Sequence, residues 1–362
     1  MAASVRVCLV AVAVAAGLGM AAAPVAAAEK EAVTTGTRIS GLMFADVTNL
    51  DLTNDGVDSP ASGTGVDVKR FYIGITHTFD EVWSVHVTTD FNYVSNDNQT
   101  QLFIKKAYVQ AKLSDALAGR LGSADMPWIP FVEGLYGYRY VEQTITDRLK
   151  FANSADWGLH AIGKLARDKL NYSVSVVNGA GYKNTTRSSS MDVEARIAFM
   201  PIKTLTLALG GYTGKLGKDV EGSATPALHT ARRVNALVAW ADDKLRVGAE
   251  YFYAEDWNQV TAVDSDTADG YSGWASYDFA PKWGVFIGVQ VAKTSKDLNP
   301  DLEDRYFNVG VAHHPRENID LALVYKDERV DGGGTVNTSN GVIGGLDEGT
   351  YREFGIWVRV AF

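Results

Sequence analysis

The sequence is almost without cysteine. Cys8 is the single one among 362 residues, and it lies within the first 28. The chain beyond residue 28 can therefore hold neither disulfides nor cysteine-ligated metals. Long apolar runs are also missing there, because nothing stays apolar for the roughly 18 residues that a membrane-spanning helix needs. Folds stabilised by disulfides and membrane-spanning helices are thus excluded for this part of the chain.

An excess of positive charge is missing too. The chain has 34 Lys and Arg against 43 Asp and Glu, a net charge of −9. Nucleic-acid-binding proteins present a strongly basic surface, so we expect no nucleic-acid partner. Catalytic signatures are equally absent: there is no Gly-x-Ser-x-Gly turn, His-Glu-x-x-His helix, phosphate-binding loop or dinucleotide-binding glycine motif. We expect no enzyme, no cofactor and no metal, since His313-His314 alone lack further ligands.

The first 28 residues differ from the rest. Arg6 precedes an apolar, Ala-rich run from Val7 to Ala23, Pro24 ends it, and Ala26-Ala27-Ala28 offers a small-residue cleavage site. This pattern predicts a secretory signal peptide over residues 1–28. The alternative, an uncleaved membrane anchor, is disfavoured by the weak hydrophobicity of alanine.

What the sequence does have is alternation with a period of two. The end of the chain shows it most clearly, with apolar side chains at Phe354, Ile356, Val358, Val360 and Phe362. Such alternation indicates strands with one apolar face and one face exposed to water. A soluble β-sandwich produces the same pattern, so the connections between strands have to decide.

The connections are alternately short, as at Asp80-Glu81 and Asp242-Asp243, and long, as at 178–190 and 331–349. Outer-membrane barrels have short periplasmic turns and longer outer loops, whereas a sandwich has no reason to separate its loops in this way. We therefore predict an all-β fold, a transmembrane antiparallel β-barrel of about 16 strands over residues 29–362. The predicted strands are 36–46, 66–79, 82–94, 101–113, 117–122, 154–165, 169–177, 191–200, 203–213, 229–240, 243–254, 268–279, 283–293, 303–313, 317–330 and 350–362. Phe362, at the end of the last one, looks like the C-terminal signal that the barrel assembly machinery recognises.

Four stretches resemble a known group. Val68–Gly74, Trp83–Phe91 and Ile104–Val109 are similar to the early strands of the phosphate-selective porin O/P superfamily, and Gly122–Trp128 is similar to the segment after the fifth strand in such porins. The resemblance implies a trimeric, sixteen-stranded diffusion channel, often for anions. Its phosphate-selective members depend on a dense ladder of pore arginines and lysines, which this sequence does not match position by position.

The longest interval between predicted strands is 123–153. A sixteen-stranded barrel encloses a lumen too wide to select solutes, so we expect this interval to fold inward as a constriction loop. Its aromatic side chains would hold the backbone and its charges would project into the pore; an exterior loop is the alternative. The candidate constriction residues are Asp125, Glu133, Arg139, Glu142, Arg148 and Lys150.

If the apolar rows face lipid, the alternate positions face the pore. The basic residues at these positions are Arg70, Lys106, Arg120, Lys164, Arg196, Arg233, Arg246, Lys326 and Arg359. The acids are Asp90, Glu194, Glu250, Asp278, Asp320 and Glu353. A basic surplus concentrates anions in a pore. The alternative is a solvated face whose charges pair across strands.

The sequence thus predicts an outer-membrane porin for passive diffusion of small hydrophilic solutes and ions, leaning toward anions and including phosphate-like ones. Expected partners are outer-membrane lipid, lipopolysaccharide, the barrel assembly machinery and two further copies in a homotrimer. A surface receptor or adhesin is one alternative. A lipase-type barrel enzyme is another, and it would need a Ser–His pair at the lipid face, for which His77, His86, His160 and His229 are candidates.

Overall fold

A computed structural model describes residues 35–94 and 99–362. The predicted signal peptide, 1–28, lies outside the described residues. One antiparallel sheet contains the two-residue strand Val57–Asp58, which pairs with the first strand, and sixteen long strands. They are β1 Gly36–Asn54, β2 Gly63–Thr78, β3 Trp83–Val94, β4 Gln99–Ser114, β5 Leu117–Asp125, β6 Ala155–Leu165, β7 Leu170–Val177, β8 Asp192–Ile202, β9 Leu205–Gly214, β10 Ala231–Ala241, β11 Leu245–Glu255, β12 Thr267–Ala280, β13 Trp283–Lys293, β14 Glu303–Arg316, β15 Ile319–Asp331 and β16 Glu348–Ala361.

The sheet closes on itself. Each strand pairs with the next along the chain, and β1 also pairs with β16 from Leu42↔Ala361 to Asn54↔Gly349. Closure removes the unpaired strand edges that hydrocarbon would penalise. The predicted sixteen-stranded antiparallel barrel is therefore confirmed. The first strand runs eight residues further than the predicted 36–46, and the polar side chains of Asp46 and Thr48 near the predicted end are buried and face inward.

Short turns join the strands at one end of the barrel, and aspartates organise several of them. The Asp80 carboxylate accepts the N–H groups of Val82 and Trp83 at 2.8 and 2.7 Å. Asp242 accepts those of Lys244 and Leu245 in the same way. The Trp240 indole N–H and these backbone N–H groups lower the pKa of Asp242. An aspartate that caps its own turn explains why such short connections, 79–82 and 242–244, suffice.

The two faces of the wall differ as the alternation predicts. Leu159 and Ile287 point outward with 58% and 47% of their surface exposed. Such rows form the band that meets lipid. Trp357 points inward, yet it is only 1% exposed because Phe44 and Tyr140 of the interior pack in the same cluster. The alternation thus predicts the direction of a side chain but not whether water reaches it.

Three smaller elements lie in the connections. Helices α1, Ile129–Tyr136, and α2, Ile145–Arg148, lie between β5 and β6. The first ends at Gly137, whose φ of 83° permits the left-handed turn that a side chain would strain. A hairpin of Gly334–Thr338 and Gly341–Gly345, here called the outer hairpin, lies between β15 and β16. Among the described residues, no helix is both long and apolar enough to cross a bilayer.

Candidate channel and its constriction

Residues 126–154, here called the inward loop, lie inside the barrel. The backbone N–H of Trp128 donates to Glu194 of β8 at 2.9 Å, and its indole N–H donates to Glu250 of β11 at 2.6 Å. Arg148 pairs with Asp304 of β14 and Glu328 of β15. These carboxylates belong to distant parts of the wall, and one loop can reach them all only through the lumen.

Arg148 is a fully buried contact of the inward loop. Its guanidinium has no exposed surface, pairs with Asp304 and Glu328, and donates through Nε to Gln290 at 2.6 Å. It also lies over the Tyr306 ring, 4.8 Å from the centroid. Burial by itself lowers the pKa of Arg148, but the two carboxylates more than reverse this and raise it. Among the described residues neither carboxylate has another basic side chain beside it, so both depend on Arg148 as their cation.

Glu142 provides a second anchor. Its carboxylate lies 3.6 Å from Lys326 Nζ, which lies 3.2 Å from Glu353. Burial raises the pKa of Glu142, but Lys326 and the N–H of Gln143 together hold it below its usual value. The loop carboxylate and the wall carboxylate therefore share one ammonium group.

Aromatic packing fills the space between these anchors. The Tyr138 ring stacks on Phe286 at 4.1 Å, and Tyr136 packs edge-on against Trp274 at 5.8 Å. Trp128 sits against Gly210, where an added Cβ would lie 2.5 Å from its ring. Rigid rings and a close approach to glycine fix the inward loop against the β8–β16 half of the wall.

The opposite half of the lumen stays open. One cavity of about 640 Å³ is bounded by Arg120, Lys164 and Arg196. Another, of about 740 Å³, is bounded by Lys105, Lys106 and further basic residues of the wall. A solute that crosses the barrel has to pass between the inward loop and β1–β8.

All nine basic residues predicted at pore-facing positions face inward, with different surroundings, and Lys326 is the one described above between Glu142 and Glu353. Three pair with carboxylates at the open lumen: Arg70 with Asp90 at 2.9 Å, Lys106 with Asp125 at 2.6 Å and Arg359 with Asp320 at 2.7 Å. Arg246 donates to the Gly134 carbonyl at the end of α1, where a cation offsets the helix dipole. Arg120 donates to Gln110, and Lys164 is exposed in its cavity.

Arg233 and Arg196 differ from the other predicted pore residues. Arg233 is fully buried against Glu194, and Arg196 lies under the inward loop with its guanidinium 3.7 Å from the Phe131 ring centroid. Because both arginines are buried, they hold the inward loop and are not accessible to a passing ion.

The predicted constriction residues are brought together in part. Asp125 ends β5, Glu133 and Arg139 form an ion pair within the inward loop, and Lys150 donates to Asn337 of the outer hairpin at 2.6 Å. Glu142 and Arg148 are wall anchors, as described above. Charges of both signs thus occur in the loop, but only part of them borders open space.

Strict alternation did not predict that two further lysines face the lumen. The β1–β2 register shifts between Phe44 and Ala45, and Lys69 there points inward, 3.4 Å from the buried Asp46. The β3–β4 register shifts between Thr88 and Thr89, and Lys105 lies 3.3 Å from the Tyr72 hydroxyl. A β-bulge lets two consecutive side chains share a face.

A sequence signal for these bulges existed. In the doublets Lys69-Arg70 and Lys105-Lys106, strict alternation would push one charge into lipid, at a cost of about 2–4 kcal/mol at the midplane. In these two doublets the bulge lets both basic side chains face the lumen.

Strict alternation also predicted too few inward-facing acidic residues. Further buried carboxylates on strands face the interior, namely Asp46, Asp156, Asp192, Asp304 and Glu328. Several of them hold loops: Asp192, for example, accepts the Tyr212 hydroxyl and the N–H groups of Lys215 and Leu216. A count of inward charges is consequently a poor guide to selectivity, because many are neutralised beneath loops.

The histidines do not form a lipid-facing catalytic pair. His160 contacts the Ser175 hydroxyl at 2.8 Å, but both side chains are buried on the lumen side. His77 contacts Thr37 and His86 contacts Thr76. In the part of the chain that the structure describes, no His–Ser pair faces lipid.

The fold is that of known outer-membrane channels. The chain superimposes on the anion-selective porin from Comamonas acidovorans with a TM-score of 0.67, 12% identity and coverage of 91% of this chain and 100% of that chain. The outer-membrane channel DcaP of Acinetobacter baumannii gives 0.62, 11%, 92% and 100%. The trimer form of OmpT, an outer-membrane protein of Vibrio cholerae, gives 0.56, 12%, 92% and 100%. Neither a protein-family model nor a curated protein sequence matches the chain.

Proposed function

We propose that this protein is a water-filled outer-membrane channel through which small hydrophilic solutes diffuse passively, with a preference for anions. The observation that carries the proposal is an asymmetry of charge. Lys105, Arg120 and Lys164 border the open half of the lumen, and none has a carboxylate within ion-pair distance among the described residues. Uncompensated cations along a narrow path raise the local concentration of anions.

The covered half of the lumen supports the same proposal. Three of its carboxylates are paired with arginines: Glu194 with Arg233, and Asp304 and Glu328 with Arg148. Glu250 is buried and accepts the Trp128 indole N–H. Paired and buried charges project little field into the pore. The inward loop therefore acts as the constriction and decides which charges a solute meets.

The direct test is a reversal potential in planar bilayers with a tenfold gradient of potassium chloride. We expect the potential to lie toward the chloride equilibrium value. A value at zero or toward potassium would refute the anion preference, and no conductance at all would refute the channel. Replacing chloride by phosphate then shows whether phosphate, which the superfamily resemblance suggests, is conducted.

Location and assembly follow from the same proposal. Residues 1–28 would direct export, and residues 29–362 would form the barrel in the bacterial outer membrane, in contact with lipid and lipopolysaccharide. Three copies would form a homotrimer, as in the trimer form of the Vibrio protein.

Phe362 is proposed as the signal that the assembly machinery reads. Its backbone exchanges two hydrogen bonds with Gly41, at 2.7 and 3.0 Å, while 65% of its surface stays exposed. Phe362→Ala keeps these bonds and loses little buried area, so we expect normal refolding in detergent. In cells we expect a reduced amount in outer-membrane fractions. Phe354→Ala, on the same outward face, is the control; equal amounts of both variants in that fraction would contradict the proposal.

A further inference from the structure

We propose that the outer end of the channel contains a binding site for small hydroxylated carboxylates. It lies in a cavity of about 370 Å³ between the inward loop, the outer hairpin and the wall at β2 and β4. This cavity is called the vestibule below. The inference rests on the proposed function, since it names the class of anion that the channel would collect before passage.

Four cationic side chains border the vestibule: Arg70, Lys105, Arg139 and Lys150. Arg70 is paired with Asp90, and Arg139 with Glu133 and Asp147. Lys105 and Lys150 have no carboxylate partner among the residues that the structure describes. These two ammonium groups are therefore available to an anionic ligand.

Lys105 is held in place without being neutralised. Its Nζ lies over the Tyr72 ring at 4.8 Å and near the Tyr182 ring at 5.6 Å. Aromatic faces attract a cation through their quadrupole but carry no net charge. The β-bulge aims Lys105 into the lumen, and the two tyrosines keep it there, so its full charge remains for a ligand.

One carboxylate, Asp147, also lines the vestibule, where it is paired with Arg139. The other polar lining groups are neutral, among them the Asn153 amide and the hydroxyls of Tyr182, Thr338 and Ser339. Such groups can donate to and accept from alcohol groups, which an apolar acid lacks. The volume holds roughly a dozen water molecules at about 30 Å³ each, far more than an inorganic ion displaces. A carboxylate on a hydroxylated carbon chain satisfies the charge, the neutral lining and the size together.

The outer wall of the vestibule is fixed to the constriction. The Ser339 N–H donates to the Arg148 carbonyl at 2.9 Å, and the Asn340 amide donates to Glu328 at 2.6 Å. The tip of the outer hairpin is thereby tied to the same buried cluster that anchors the inward loop. A site with both walls held in this way loses little conformational freedom when it binds.

The test uses the full-length channel in planar bilayers, with chloride current as the readout and gluconate, hexanoate or inorganic phosphate added to either side in turn. We expect gluconate to reduce the current at the lowest concentration. Hexanoate has the same carbon chain and charge without the hydroxyls, and a site built to hydrogen-bond hydroxyls rejects such an analogue. Equal block by gluconate and hexanoate would overturn the hydroxylated class, and tighter block by phosphate would assign the site to an inorganic anion.

Matched variants locate the site. Lys105→Met should raise the apparent dissociation constant of gluconate about tenfold, the loss expected for one charge-assisted hydrogen bond. Lys105→Arg should restore most of the affinity. Lys164→Met removes the same charge from the other cavity and should leave the gluconate constant unchanged. Equal effects of Lys105→Met and Lys164→Met would show a diffuse field instead of a site.

The two proposals fail separately. A chloride reversal potential that shows no anion preference refutes the proposed function. A normal anion preference without selective gluconate block refutes the vestibule site alone.

Discussion

Arg148→Met is expected to release the inward loop, raising single-channel conductance and current noise and weakening the anion preference. The substitution leaves Asp304 and Glu328 buried without a cation, and breaking a buried ion pair in this way costs about 3–5 kcal/mol. The strands do not depend on this contact, so the barrel should still form. The measurements are single-channel recording and heat-modifiability on gels.

Arg352→Met is the matched control for Arg148→Met. Arg352 makes the same kind of ion pair, with Asp327 at 3.1 Å, but half of its side chain is exposed on the outside of the barrel. Exposed pairs contribute about 0–1 kcal/mol, so conductance should stay at the wild-type value. Adding Asp304→Asn and Glu328→Gln to Arg148→Met should partly reverse the increase in current noise, because these two substitutions remove the unpaired carboxylates. A folded Arg148→Met channel with unchanged conductance and noise would show that this anchor does not hold the constriction.

Charge reversal along the open path is expected to have the second large effect. Lys105→Glu, Arg120→Glu and Lys164→Glu together should move the reversal potential from the anion side to the cation side. Among the residues that the structure describes, none of the three cations has a carboxylate within ion-pair distance that would offset the change. The effect should be largest at 0.1 M salt, where the screening length is about 10 Å, and smaller at 1 M, where it is about 3 Å.

The control for this triple variant changes as many charges elsewhere. Arg232, Arg305 and Arg329 are exposed on the outside of the barrel and form exposed ion pairs with Glu255, Glu303 and Glu348. Replacing all three by Glu should leave the reversal potential unchanged. If the lumen triple leaves it unchanged too, the solute does not pass the wall at β4–β6.

Lys106 and Arg196 would be poorer choices for such a test, although alternation alone selects them as readily as Arg120. Lys106 is balanced by Asp125, and Arg196 is covered by the inward loop. Their substitution would mainly disturb an ion pair or the inward loop, and would change the electric field in the open half of the lumen less. Only the folded arrangement separates charges that a solute meets from charges that hold the protein together.

The sequence by itself determined the barrel, the number of its strands and the direction of most side chains. These features depend on a period of two and on turn chemistry such as the Asp80 and Asp242 caps, both of which are read within a few residues. It also located the 123–153 interval and most of the residues around the channel.

Tertiary structure decided which charges stay open. The bulges at Lys69 and Lys105 arise from the register between neighbouring strands, and a local period cannot contain them. The pairing of Arg148 with Asp304 and Glu328 joins residues more than 150 positions apart. Because charge in a pore acts only where water and solute reach it, the proposed selectivity depends on how the inward loop covers one half of the wall and leaves the other half accessible.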